Sequence, residues 1–187
     1  MYSSSTRRVA LTAYLAQTAS DGLVFDGSVA EAGTLSAMSD SDWAVGHSTT
    51  GWCCFFAGAA FACASKRQAC IAMSSTEAEI IAASACAVEV VHYRRLLAEM
   101  GHPQHDPTVL HVDNSGAVEL SRDRKSCHRS RHVDRRYFKV RELYFAGELR
   151  VEHVPTADNV ADIFTKPLPF ESFSRHKARL LNTPLQA

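Results

Sequence analysis

Trp52-Cys53-Cys54-Phe55-Phe56-Ala57-Gly58-Ala59-Ala60-Phe61-Ala62-Cys63-Ala64 is the longest uncharged apolar run in the chain, and the way it divides decides the fold. Its 13 residues cannot span a bilayer, which needs about 20. Gly58 splits the run into two halves of strand length, rich in Cys, Phe and Ala, and Ser65-Lys66-Arg67-Gln68 reads as a polar bend after the second. Upstream, Leu35 to Val45 reads as a strand carrying two acids, and Gly46 to Gly51 has turn chemistry. Three consecutive strands in an antiparallel meander follow.

Beyond the meander the period changes. From Ser75 to Met100, Ile80, Ala83, Ala87, Val90, Val91, Arg94 and Leu97 share one helical stripe, and Gly101 and Pro103 end it. The many alanines on neighbouring faces predict close packing on a sheet. Val109 to Asp113 is a short strand ending in an acid, followed by a short helical run from Asn114-Ser115-Gly116. His132 to Ala146 reads as a helix, Leu149 to Val154 as a strand, Asp158 to Thr165 as a further helix, and Phe170 to Leu181 as a terminal one. At the N-terminus, residues 8 to 19 read as the end of a helix that Ser20-Asp21-Gly22 stops, with Leu23-Val24-Phe25 turning extended. Strands alternating with helices give an α/β fold.

The composition suits a globular protein: 187 residues, 46% hydrophobic, 21% charged. Twenty basic residues balance twenty acidic ones, which excludes a uniformly basic nucleic-acid binder but says nothing of how the charge is distributed. The six cysteines, Cys53, Cys54, Cys63, Cys70, Cys86 and Cys127, show no C-x-x-C spacing and mostly lie in apolar runs. They are too few for a disulfide scaffold, so an intracellular location, cytoplasmic or nuclear, is expected rather than secretion. Arg7 and Arg8 before Val9 to Ala16 imitate a signal peptide weakly, without a cleavage site. No membrane segment is read.

Four acids stand where an element meets a turn: Asp40, Glu79, Asp113 and Asp162. In an α/β sheet such positions can converge on one site. Each also has a purely structural reading. Glu79 could close a capping box with Thr76, with Ser74 and Glu77 as the alternative register. Asp113 could begin an Asx turn, and Asp162 could favour a helix N-terminus.

The segments Ser39-Asp40-Ser41-Asp42-Trp43-Ala44, Ser74-Ser75-Thr76-Glu77-Ala78-Glu79, Val112-Asp113-Asn114-Ser115-Gly116-Ala117 and Ala161-Asp162-Ile163-Phe164-Thr165-Lys166-Pro167-Leu168 resemble the ribonuclease H domain of copia-type LTR-retrotransposon polyproteins. The likeness extends from about Ala10 to Leu181. It implies a ribonuclease H-like fold, a mixed five-stranded sheet of three antiparallel strands and two further ones flanked by helices. Residues 1–34 look like the end of a preceding reverse transcriptase, 35–169 like the ribonuclease H domain, and 170–187 like a terminal helix and tail. The family's D-E-D-D metal site falls on Asp40, Glu79, Asp113 and Asp162, with Asp42 competing with Asp40 and Glu77 with Glu79. Implied with it are two Mg²⁺ ions, with Mn²⁺ as a substitute, and hydrolysis of the RNA strand of RNA/DNA hybrids to 5′-phosphate and 3′-hydroxyl ends. The reverse transcriptase domain of the same polyprotein is a further implied partner. Related nucleases place a histidine near His153 to assist proton transfer or product release; an inward strand histidine is the alternative reading.

Between Arg122 and Arg141 nine Lys/Arg face two acids, a net +7 over twenty residues, interleaved with His128, His132, Tyr137 and Phe138. Such a run suits a nucleic-acid backbone, against a solvated helix face as the bland alternative. Arg129, Arg131, Arg135, Arg136 and Lys139 are its candidate contacts, and Asn114 and Ser115 are candidates for the hybrid's 2′-hydroxyls. Arg129-Ser130-Arg131-His132-Val133-Asp134 resembles the family's R-S-K-H-I-D signature, whereas Cys127 departs from it where a histidine is usual. Two other functions compete. An integrase-like site would pair Asp113 with Glu148, 35 positions on, but it leaves Glu79 and the Asp162 motif unused. A catalytically silent hybrid-binding module of retroelement origin is the other.

Overall fold

The computed structural model describes residues 4–29, 32–44, 46–123 and 139–184. An N-terminal helix α1 (Ser4–Gln17) precedes strands β1 (Ser36–Asp42), β2 (Thr49–Phe56) and β3 (Ala59–Arg67), which form the expected antiparallel meander. The β2–β3 connection is two residues, Ala57 and Gly58, with φ 49° and 87°. Positive φ at both positions matches the right-handed twist of the strands and makes the tight hairpin possible. The polar stretch 65–67 belongs to β3 and is not a bend. Gln68 is buried and turns inward, its amide nitrogen reaching Ser41 Oγ and Thr50 Oγ1 at 3.1 Å and the Ala78 carbonyl at 3.0 Å.

Helix α2 (Ser75–Glu99) carries the chain to β4 (Thr108–Val112), which pairs parallel with β1. A parallel step requires a crossover, and the Ala-rich N-terminal half of α2 fits it closely: residues 78–84 are all buried, on every face. Towards its C-terminus burial narrows to Val90 and Leu97, both on the expected stripe. Helix α3 (Ser115–Arg122) and the helical residues 139–145 (α4) then precede β5 (Leu149–His153), parallel to β4. The sheet order is β3-β2-β1-β4-β5, mixed and five-stranded. Residues 132–138 of the expected fourth helix lie outside the described residues.

Alternation along the strands gives the sheet two buried faces. On one, Ala37, Cys54, Leu110, Val112, Leu149 and Val151 pack with Ala83, Cys86, Ala87 and Val90 of α2. Fully burying each large aliphatic there contributes about 1.5–3 kcal/mol. On the other face, Cys53, Phe55 and Ala60 meet Val160, Phe164 and Leu180. The expected helix from Asp158 is instead two short 3-10 segments, Thr156–Asp158 and Val160–Phe164. Asn159 between them is extended, and its buried side chain accepts from the Ala161 amide while donating to the Ser39 carbonyl at 3.0 Å, which ends one turn and pins the next to β1. The last helix, α5 (Phe170–Leu181), occupies the expected span. Leu23-Val24-Phe25 forms no strand; Val24 exchanges hydrogen bonds with the Leu181 carbonyl and the Asn182 side chain. Among the described residues no helix is long and apolar enough to cross a membrane, and the five described cysteines are free.

Candidate metal centre

Register decides where the acids fall. In the parallel β1–β4 pair Met38 lies opposite His111, so Asp40 and Asp113, each two residues further on, are level at the C-terminal ends of adjacent strands. Glu79 reaches the same place from the second turn of α2, where its Oε1 accepts from the Ser41 amide at 3.1 Å. One carboxylate oxygen from each of Asp40, Glu79 and Asp113 lies within 4.8 Å of the other two.

The two ambiguous pairs separate structurally. Asp42 Oδ1 accepts from the Thr49 amide at 2.6 Å and closes the β1–β2 turn. Glu77 takes the capping role: its amide donates to Ser74 Oγ at the N-cap, and its carboxylate accepts from the amide of Met73, the residue before the cap, at 2.8 Å. Glu79 is thereby free of a capping role.

The electrostatics match two buried acids, Asp40 and Glu79, beside a half-buried third, Asp113. Glu79 is pushed up to about 9, by burial first and then by the charges of Asp40 and Asp113. Burial also raises Asp40, against a hydrogen bond from Thr165, and Asp162 raises it further. Asp113 is raised by burial and by Asp40, with a Thr156 hydrogen bond acting the other way. The second oxygen of Glu79, Oε2, is buried without a hydrogen-bond partner. A largely buried all-oxygen donor set with an unsatisfied carboxylate oxygen suits a hard divalent cation.

Asp162 lies beside Asp40 but outside the group of three, and its Oδ1 is 2.9 Å from Lys166 Nζ. Burial acts to lower Lys166, but its bond to Asp162 and the charges of Asp40, Asp162 and Asp113 prevail and leave it raised. The Thr165 hydroxyl donates to Asp40 Oδ2. Thr165, Lys166, Gln68, Asn159 and Thr156 are the residues around the acids to which the sequence reading gave no role. Thr165 and Lys166 could have been found from their positions three and four residues after Asp162, which place them on its own helical turn.

His153 lies opposite Val112, one residue from Asp113, and is exposed, so it is not an inward strand histidine. Asn114 caps α3, its Oδ1 accepting from the Ala117 amide at 3.0 Å, which leaves its amino group for other contacts; Ser115 is exposed. Lys139 is 3.5 Å from Glu142. Arg129, Arg131, Arg135 and Arg136 lie outside the described residues. Glu148 precedes β5 and so stands at the opposite end of the sheet from Asp113, which removes the integrase-like pairing.

No family model matches the chain. It is 36% identical over 164 residues to the retrovirus-related Pol polyprotein from transposon TNT 1-94 of Nicotiana tabacum, covering 86% of this chain and 12% of that protein. It is 36% identical over 149 residues to the Pol polyprotein from transposon RE2 of Arabidopsis thaliana, covering 76% of this chain and 10% of that one. The chain thus spans about a tenth of the length of these curated relatives. Among solved structures it is similar to LC11-RNase H1, isolated from compost, with TM-score 0.56 and 13% identity over 71% of this chain and 93% of that one. The same protein in complex with an RNA/DNA hybrid matches with TM-score 0.54 and 12% identity over 71% and 94%.

Proposed function

From the premise that this chain belongs with the copia-type, retrovirus-related Pol polyproteins and has the ribonuclease H fold, we propose that it hydrolyses the RNA strand of RNA/DNA hybrids with divalent cations held at Asp40, Glu79, Asp113 and Asp162. The observation that carries the reading is the convergence of three carboxylates, Asp40 and Asp113 at adjacent strand ends and Glu79 from α2, with Asp40 and Glu79 buried and Asp113 half-buried. Bound Mg²⁺, or Mn²⁺ in its place, supplies an activated water and stabilisation of the leaving 3′ oxygen, the chemistry of a two-metal phosphodiester hydrolysis.

The chain's own residues do the rest. Asp40 and Asp113, fixed by strand register, set the floor of the site, and Glu79 is anchored to the Ser41 amide. Asp162 enters from the 3-10 helix that Asn159 ties to β1, with Lys166 offsetting part of the negative charge. His153 is exposed beside Asp113, and its proposed role is to accept or deliver a proton at the departing product. The basic run between Arg122 and Arg141 supplies the positive charge to hold the hybrid's phosphates. The reverse transcriptase of the same polyprotein is the proposed partner.

A labelled hybrid incubated with the chain and Mg²⁺ tests the reading. Cleavage of the RNA strand, abolished in Asp113→Asn, is the expected result. Hybrid binding without cleavage by the wild type would establish the silent binding module instead. Cleavage surviving Asp113→Asn would overturn the site.

A further inference from the structure

We propose that Thr165 is a positioning residue that fixes the orientation of the Asp40 carboxylate for the cation, an inference that rests on the metal reading of the site. An aspartate at a strand end can rotate about its side-chain bonds, and a site for a small cation tolerates little of that freedom. Here one oxygen, Oδ2, is taken by the Thr165 hydroxyl, which settles where the other oxygen lies.

The hydroxyl is itself held in place. Thr165 follows the 3-10 helix Val160–Phe164, and its amide donates to the Asp162 carbonyl at 3.1 Å. A β-branched side chain has few rotamers, and the Thr165 methyl packs so closely on the backbone of Gly51 that a Cβ there would lie 2.7 Å from Cγ2. Gly51 is in turn the β2 partner of Asp40 in the sheet. The hydroxyl also lies 3.1 Å from the Asp162 carbonyl. It has a single hydrogen, and a carboxylate is the stronger acceptor. Thr165 therefore links two acids from distant parts of the sequence: its backbone belongs to the turn of Asp162 and its hydroxyl to Asp40. Its two branches have separable duties, the methyl packing and the hydroxyl orienting.

That division supplies the test. Thr165→Val keeps the branched shape and loses the hydroxyl; Thr165→Ser keeps the hydroxyl and loses the methyl. Mg²⁺ binding to the full chain without nucleic acid is measured by calorimetry, with the melting temperature of each variant alongside. Thr165→Val is expected to weaken Mg²⁺ binding about 10–100-fold, the usual effect of removing a group that orients a ligand, with little change in melting temperature. Thr165→Ser is expected to melt lower yet bind Mg²⁺ within about threefold of wild type, since the orienting bond is kept. Wild-type affinity in Thr165→Val, or equal losses in both variants, would overturn the inference and leave Thr165 a packing residue. Failure of the wild type itself to bind Mg²⁺ would overturn the metal reading, and the inference with it.

Discussion

Gly51 and Thr165 touch so closely that a Cβ added to the glycine would stand 2.7 Å from Thr165 Cγ2 and 2.9 Å from the Ala161 carbonyl. Gly51 has no need of a positive φ; the glycine is required by the approach of the 3-10 helix that carries Asp162. The carbonyl is backbone and cannot swing aside, so the helix must move as a unit. Gly51→Ala is expected to cost about 1–3 kcal/mol of stability, the usual result of overpacking, and to reduce hybrid cleavage further than that loss explains. Urea denaturation and a cleavage assay on the same preparation check this. Wild-type values in both would mean that the segment yields freely.

The pH dependence of stability should carry the signature of Glu79. Its carboxyl is raised from 4.5 to about 9 by burial first and then by Asp40 and Asp113. Between those values the folded protein holds a proton that the unfolded chain has released, so rising pH favours unfolding. The stability contributed by the neutral carboxyl is complete below the unfolded value and declines as pH climbs towards the folded one. In chelator, the wild-type melting temperature should therefore fall with pH across this window more steeply than that of Glu79→Gln. Adding Mg²⁺ should flatten the wild-type slope, because a cation takes the place of the proton. Parallel curves for the two proteins in chelator would show Glu79 ionised throughout.

What could be read in the sequence follows from the range of the interactions involved. The meander, α2 and α5 were legible because their signals are local: Gly58 at the hairpin, the stripe through Ile80, Ala83 and Val90, the span from Phe170 to Leu181. The 3-10 segments were not, because Asp158 to Thr165 has helical composition, and the bond of Asn159 to the Ser39 carbonyl, 120 residues away in sequence, interrupts it. The acids were found through motif resemblance, and strand register explains why Asp40 and Asp113 meet. Period alone could not separate Asp40 from Asp42, which share a strand face; the turn amide of Thr49, on the next strand, does so. Gln68 was read as part of a bend because nothing local distinguishes a polar residue that is buried from one that is solvated. Its three acceptors lie on β1, β2 and α2.

The neutral total charge conceals a segregation that nucleic-acid binding should expose. Among the described members of the basic run, Arg122 Nη2 donates to the Val151 carbonyl at 2.7 Å, and Lys139 pairs with Glu142. Arg122 is thereby held at β5, and phosphate contacts are proposed for Arg135 and Arg136 from their place in the basic sequence run. Each phosphate contact to a duplex adds about 0.9 to the slope of log affinity against log salt, so Arg135→Ala combined with Arg136→Ala should flatten the slope by about 2. Arg122→Ala should leave the slope unchanged and instead lower stability by about 1 kcal/mol through the lost bond to β5. Fluorescence anisotropy with a labelled RNA/DNA hybrid, in an Asp113→Asn background that prevents cleavage, measures the slopes. An unaltered slope in the double variant would take Arg135 and Arg136 out of the interface. A slope that flattens in Arg122→Ala would mean that its side chain leaves Val151 for phosphate when the hybrid binds.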